Sequence, residues 1–202
     1  MNILLDALPD EIDGVPVNTD FRFMVLLELM LADPKAPEDL KLPLALSYLY
    51  KEPISDPQKA VDGLLWFYRC GAPEDKGAGG GGNSHDRAYD FEVDAPDIYA
   101  AFMQAYGIDL NSVELHWWKF RALFFGLPED CKIVKIMGYR TMDLYGLKGA
   151  EKKHYEKLKR QFRLKPLGVE KLPLAAAEQA AKDRVAKRFA EAERWAGEHR
   201  KP

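Results

Sequence analysis

Acid-base, nucleophilic or zinc chemistry in this chain would have to be built from four histidines, His85, His116, His154 and His199, and two cysteines, Cys70 and Cys131. Their spacing does not serve it. A zinc site needs thiolates and imidazoles at short intervals, and neither C-x-x-C nor H-E-x-x-H occurs. The thiols therefore read as buried free cysteines and the histidines as structural or surface residues. His116 abuts Trp117 and Trp118 and is the one acid-base candidate, but no carboxylate stands at a spacing that would orient it. Asp90, Glu92, Asp94 and Asp97 invite a divalent cation. An EF-hand loop needs a glycine at its sixth position and a glutamate at its twelfth, and this segment has neither, so alternation followed by helix capping explains the acids better.

Gly77-Ala78-Gly79-Gly80-Gly81-Gly82-Asn83-Ser84 superficially resembles a phosphate-cradling loop. A Walker loop places Lys-Ser/Thr directly after its last glycine and a strand before its first, so that backbone N–H groups and a lysine converge on phosphate. Both are missing, and a flexible linker or surface loop over 72–88 is expected instead. The paired tryptophans could stack on bases, but without interleaved cations they read as core or interface anchors. No catalytic, cofactor or metal residue is assigned.

The elements that would position these residues are helical. Glu11 to Val17 sets an Asp13-Gly14 turn between β-compatible residues, a small hairpin with Pro16 on an edge strand. Thr19 is the expected N-cap of a first helix ending by Ala32, with Phe21, Val25, Leu26, Leu29 and Met30 as its apolar stripe. A second helix spans Leu40 to Tyr50, and Asp56-Pro57 opens a third that reaches Cys70 and is closed by Gly71. Asp94 caps a fourth, with Ile98, Phe102 and Tyr106 on one face and Gly107 as a left-handed C-cap. Asn111 and Glu114 suggest a capping box for Leu115 to Phe125, a helix apolar on nearly every face and hence surrounded by neighbours. Cys131 to Met137 forms a short helix, Thr141 caps a further turn, and Glu151 to Phe162 forms a charged helix. After Pro166, Gly168 and Pro173, Leu174 to Glu198 is a long charged helix with a narrow stripe of Ala181, Val185, Phe189 and Ala192, and Trp195 near its end. The pattern predicts an all-α, compact multi-helix bundle over 1–165, with a linker and C-terminal helix over 166–202.

At 202 residues, 47% hydrophobic and 30% charged, the chain can bury one core, or two packed subdomains on either side of the glycine run. Its net charge of -3 gives no global pull toward nucleic acid or an anionic membrane. Charge is locally uneven: acids dominate the first forty residues, while Lys152, Lys153, Lys157, Lys159, Arg160, Arg163 and Lys165 make a basic run. Both read as solvated faces, with nucleic-acid binding by the basic run as the disfavoured alternative. MNILLDALPD has no basic region and no sustained apolar core, so neither secretion nor membrane insertion is expected, and a reducing cytoplasm fits.

Several blocks of the sequence carry a resemblance. They are Leu4-Leu5-Asp6-Ala7-Leu8-Pro9, Asn18-Thr19-Asp20-Phe21-Arg22 and Tyr89-Asp90-Phe91-Glu92, then Asp94 to Phe102 and Tyr106-Gly107-Ile108-Asp109-Leu110. His116-Trp117-Trp118-Lys119-Phe120-Arg121-Ala122-Leu123, Gly126-Leu127-Pro128 and Ile136-Met137-Gly138-Tyr139-Arg140-Thr141 complete them. Over about residues 1 to 165 the chain resembles the bacteriophage gene-product-fifteen family of tailed phages and prophages of Gram-positive bacteria. The family's genes usually sit just before the tape-measure gene, where siphophages encode tail assembly chaperones. The resemblance therefore implies a non-enzymatic, cofactor-free protein of the host bacterial cytoplasm. It would bind the tape-measure protein and help recruit tail-tube protein. The alternative is a structural tail-completion or connector protein retained in the virion. Val185, Phe189 and Trp195 are the candidate partner-binding residues, no membrane is involved, and a homo-oligomer is left open.

Overall fold

The computed structural model describes residues 2–73, 87–164 and Arg194. Among them are one hairpin and seven helices: β1 (Glu11–Ile12), β2 (Val15–Pro16), α1 (Phe21–Ala32), α2 (Glu38–Leu49), α3 (Pro57–Tyr68), α4 (Ala95–Tyr106), α5 (Trp117–Phe125), α6 (Lys132–Thr141) and α7 (Gly149–Phe162). The protein is mostly helical, as its periodicities predict. The chain divides into two compact units, with the boundary in sequence falling inside α5 between Leu123 and Phe124. Residues 2–73 and 111–123 belong to the first, and 87–110 and 124–164 to the second.

In the first unit β1 and β2 pair antiparallel, Glu11 with Pro16 and Ile12 with Val15. The two-residue loop between them has φ of 51° at Asp13 and 79° at Gly14, the positive values that an Asp-Gly hairpin turn supplies. The expected N-cap of α1 is displaced by one residue. Asp20, not Thr19, accepts the Arg22 N–H at 3.0 Å and holds the Arg22 guanidinium at the same distance. The buried side of α1 is Phe21, Phe23, Met24, Leu27 and Met30, so the expected stripe through Val25, Leu26 and Leu29 is out of register. Apolar residues occupy nearly every position of this helix, and its periodicity could not choose a face.

α2 starts two residues earlier than expected and carries Pro43 within it. Asp56 caps α3 by accepting from the N–H groups of Gln58 and Lys59, with Pro57 at the first helical position, where its missing N–H costs nothing. α3 ends at Tyr68 and not Cys70, because Cys70 and Gly71 both turn left-handed, with φ of 57° and 73°.

The second unit packs α4 on α6 and α6 on α7 around Phe91, Ile98, Phe102, Phe124, Ile133 and Ile136, all buried. Gly107 ends α4 with φ of 66°, as its position predicts. α6 does not stop at Met137. It continues through Gly138 to Thr141, whose hydroxyl donates to the Met137 carbonyl in place of capping a further turn. The last turn is held from outside the helix: the Tyr139 and Phe162 rings stack at 5.8 Å, and Arg140 is buried in an ion pair. The expected C-terminal helix over 174–198 lies outside the described residues.

Candidate functional site

The segment His116 to Arg121 in the first unit is tied to other stretches of the chain by directed polar contacts. α3 ends with carbonyls that no N–H of its own can satisfy. The Trp117 indole N–H donates to the Tyr68 carbonyl at 3.0 Å, and the Trp118 indole N–H donates to the Phe67 carbonyl at 2.8 Å. The Arg121 guanidinium also donates to the Tyr68 carbonyl, at 2.6 Å, where a cation complements the negative end of the helix dipole. Ring contacts surround these donors. Trp117 stacks on Tyr68 at 5.6 Å, Phe120 stacks on Phe21 at 4.5 Å, and the Arg121 guanidinium lies 5.5 Å from the Tyr68 ring centre. Gly71 makes room for this arrangement. A Cβ there would come within 2.9 Å of the Trp118 ring, on a backbone already left-handed.

No helix starts at Asn111 and Glu114, where a capping box was expected: α5 begins at Trp117, not Leu115. Residues 113–117 instead run alongside 19–22. Phe21 N–H donates to the Leu115 carbonyl at 2.9 Å, and Trp117 N–H donates to the Thr19 carbonyl at 2.7 Å. Leu115 N–H donates to Asp20 at 3.3 Å, and Arg22 donates to the Val113 carbonyl at 3.2 Å. Tertiary pairing thus outcompetes the local cap.

His116 closes the helix start in its place. Its Nδ1 accepts the Trp118 N–H at 3.1 Å, so the ring proton sits on Nε2 and is donated to the Pro9 carbonyl at 3.0 Å. Burial pushes the imidazole pKa down; the Pro9 bond and Asp10 oppose this, and Lys119 adds to it. Both nitrogens are committed to backbone, which leaves none for a substrate. The helix is also not enclosed on every side: Trp117, Trp118, Phe120 and Phe124 are buried, whereas Lys119, Ala122 and Phe125 are exposed.

Also within the first unit, a cleft of about 430 Å³ opens between the end of α2 and the start of α3, lined by Pro43, Leu46, Tyr50, Pro53, Ile54 and Ala60 among others. Its one buried hydroxyl, Tyr50, donates to the Ala60 carbonyl at 3.1 Å, and burial followed by the charge of Asp13 pushes the phenol up to about 12. That hydroxyl also fills the space where a Cβ on Gly63 would stand. The cleft offers shape and apolar surface, which suits a side chain better than a reacting group.

The polar centre of the second unit was missed by sequence reasoning. Asp94 stands at the N-cap position of α4 but makes no side-chain cap bond. Its carboxylate instead takes Arg140 of α6 in a bidentate grip at 2.6 and 2.9 Å, both residues being buried. Arg140 further donates to the Ala88 carbonyl at 3.0 Å and the Phe162 carbonyl at 2.6 Å, and Asp94 accepts the Asp90 N–H at 2.9 Å. The other acids that invited a cation are engaged separately. Burial alone would push the Asp90 carboxyl up, but N–H groups of Val93 and Glu92 and the Arg87 guanidinium hold it below its ordinary value. Asp97 pairs with Lys132 at 2.8 Å. Among the described residues, no group of three or more His, Cys, Asp or Glu is placed to hold a metal ion. Val185, Phe189 and Trp195 lie outside the described residues.

Fold and site together define a mostly helical protein whose aromatic and charged groups hold helix ends and turns in register. The chain belongs to the bacteriophage Gp15 protein family, whose model matches residues 4–164. It is therefore a phage structural or assembly protein. No curated protein and no solved structure matches it. No helix among the described residues is long and apolar enough to cross a membrane.

Proposed function

We propose that this protein is a tail assembly chaperone that binds the tape-measure protein in the host cytoplasm, shields its apolar helical segments and helps recruit tail-tube subunits. Membership of the phage family over residues 4–164 is the observation that carries the reading, joined to the gene position before the tape-measure gene that the family resemblance implies. Two features support it. The cleft beside Pro43, Leu46 and Ile54 has the apolar lining that a helix side chain of a partner would enter. Val185 and Phe189, four residues apart, and Trp195 near the end of the same stretch supply apolar side chains for the same partner. The role requires no catalytic residue and no cofactor.

Co-expression with the adjacent tape-measure protein tests it. The chaperone reading expects that partner to become more soluble and to co-purify; no gain in solubility and no co-purification would sink it. Mass spectrometry of purified virions separates it from a tail-completion or connector protein. A chaperone is absent or strongly depleted, and a structural subunit is present at fixed copy number.

A further inference from the structure

α7 is a surface helix without a buried residue. Tyr155, Leu158 and Phe162 form its inner side, with only partial burial. At about 100° per residue, Lys153, Lys157 and Arg160 fall together on the opposite side, all exposed, and Lys152 and Arg163 flank them. Glu156 falls between Arg160 and these flanking cations. Shortly before the helix, Tyr145 is 93% exposed and Lys148 is also exposed.

The N-terminal arm of the first unit has the opposite sign. Asp6, Asp10, Glu11 and Asp13 are all exposed. Beside them Leu4 and Leu5 are 87% and 83% exposed, presented by a turn in which the Asn2 carbonyl accepts from Leu5 N–H at 3.0 Å and from Asp6 N–H at 2.8 Å. Two leucines so exposed on an ordered turn are unusual, since contiguous exposed apolar surface commonly marks a contact site. Each surface thus carries clustered charge of one sign beside projecting apolar groups, and their signs are complementary.

We propose that the acidic N-terminal arm of one copy of this chain binds the basic face of α7 on a second copy. The contact joins two different surfaces, so it either closes reciprocally in a two-fold dimer, each arm on the other copy's α7, or propagates into a ring or an open array. A second copy is favoured over a nucleic acid because Glu156 interrupts the helix's cationic face and the whole chain is at -3. Phosphate binding gains from long, unbroken cationic surface. This inference is independent of the chaperone reading, and its failure would leave that reading intact.

Sedimentation velocity on the full chain tests it. The expected result is mass that grows with protein concentration at low salt and returns to that of the monomer at high salt, where charges are screened over a few ångströms. The triple variant Lys153→Glu/Lys157→Glu/Arg160→Glu should weaken association about tenfold or more, and so should Asp6→Lys/Asp10→Lys/Glu11→Lys. In an equimolar mixture of the two triple variants each self-pairing is like-charged but each cross-pairing is opposite in charge, once in the wild-type sense and once exchanged, so association should return as mixed assemblies, and a chain carrying both sets should restore it as well. All six side chains are exposed, and circular dichroism of each variant checks its fold; glutamine in place of glutamate, and asparagine or glutamine in place of lysine, serve if a reversal fails to fold. A wild-type monomer at every concentration, or reversals without effect, overturns the proposal. A short DNA duplex bound by the monomer and released by the α7 reversal also overturns it, assigning the helix to phosphate.

Discussion

Arg140 shows what a single side chain can hold in this protein. It is 5% exposed, and its guanidinium joins Asp94, Ala88 and Phe162, which belong to the entry to α4 and the end of α7. Removing one partner of such a pair strands the other charge in a buried site. Arg140→Met is expected to destabilise by about 3–5 kcal/mol, read as a shift of the urea midpoint, and Asp94→Leu combined with it should recover a large part of the loss. A midpoint shift under about 1 kcal/mol for the single change would refute that assignment. Gly71→Ala is expected to cost about 1–3 kcal/mol, because the left-handed backbone and the Trp118 ring both oppose a Cβ. His116 makes stability depend on pH. Its folded pKa lies below that of the unfolded chain, near 6.5, so its contribution is complete above about pH 6.5 and is lost as pH falls through the lowered folded value. Denaturant melts at neutral and mildly acidic pH should show stability falling with acid. His116→Asn, which can still accept the Trp118 N–H but does not titrate, should flatten that part of the dependence.

At the scale of elements, what the sequence revealed follows from where the ordering forces act. The Asp13-Gly14 turn, the Asp56-Pro57 start of α3 and the Gly107 end of α4 were legible, because each rests on the conformational limits of one or two residues. α5 was not. Asn111 and Glu114 have the local chemistry of a cap, but pairing of 113–117 with 19–22 prevails, and no neighbour in sequence announces it. The function of Asp94 was hidden for the same reason: its partner stands 46 residues away. The aromatic segment was recognisable as core by its composition, yet its tryptophan N–H groups and Arg121 reach carbonyls some 50 residues earlier. These contacts yield a prediction about the element itself. Trp118→Phe keeps an aromatic ring but removes one of the two donors to the Phe67 carbonyl, which still accepts the Cys70 N–H at 3.0 Å. A loss of about 0.5–1.5 kcal/mol is expected, with faster amide exchange in the last turn of α3 than in α1. Unchanged exchange there would show that the indole bond does not hold the helix end.

For the whole molecule, the family match and the aromatic signature stop at different distances from the partner-binding residues proposed above. The match covers residues 4–164, so the part of the chain shared with the family ends just after α7. Val185, Phe189 and Trp195 follow it. If these three bind the tape-measure protein, stability and partner binding are carried by separate stretches of chain, and truncation separates them. A chain ending at Leu164 is expected to keep its helical circular dichroism and a melting temperature within about 3 °C of the full chain, since the buried residues all lie before that point among those described. In the co-expression assay it should lose most of its ability to solubilise the partner, as should the full chain carrying Val185→Asp and Phe189→Asp. A truncated protein that still co-purifies in full would move the binding surface to the body of the chain. The cleft between α2 and α3 would then be the place to look, and Leu46→Lys would be the substitution to make there.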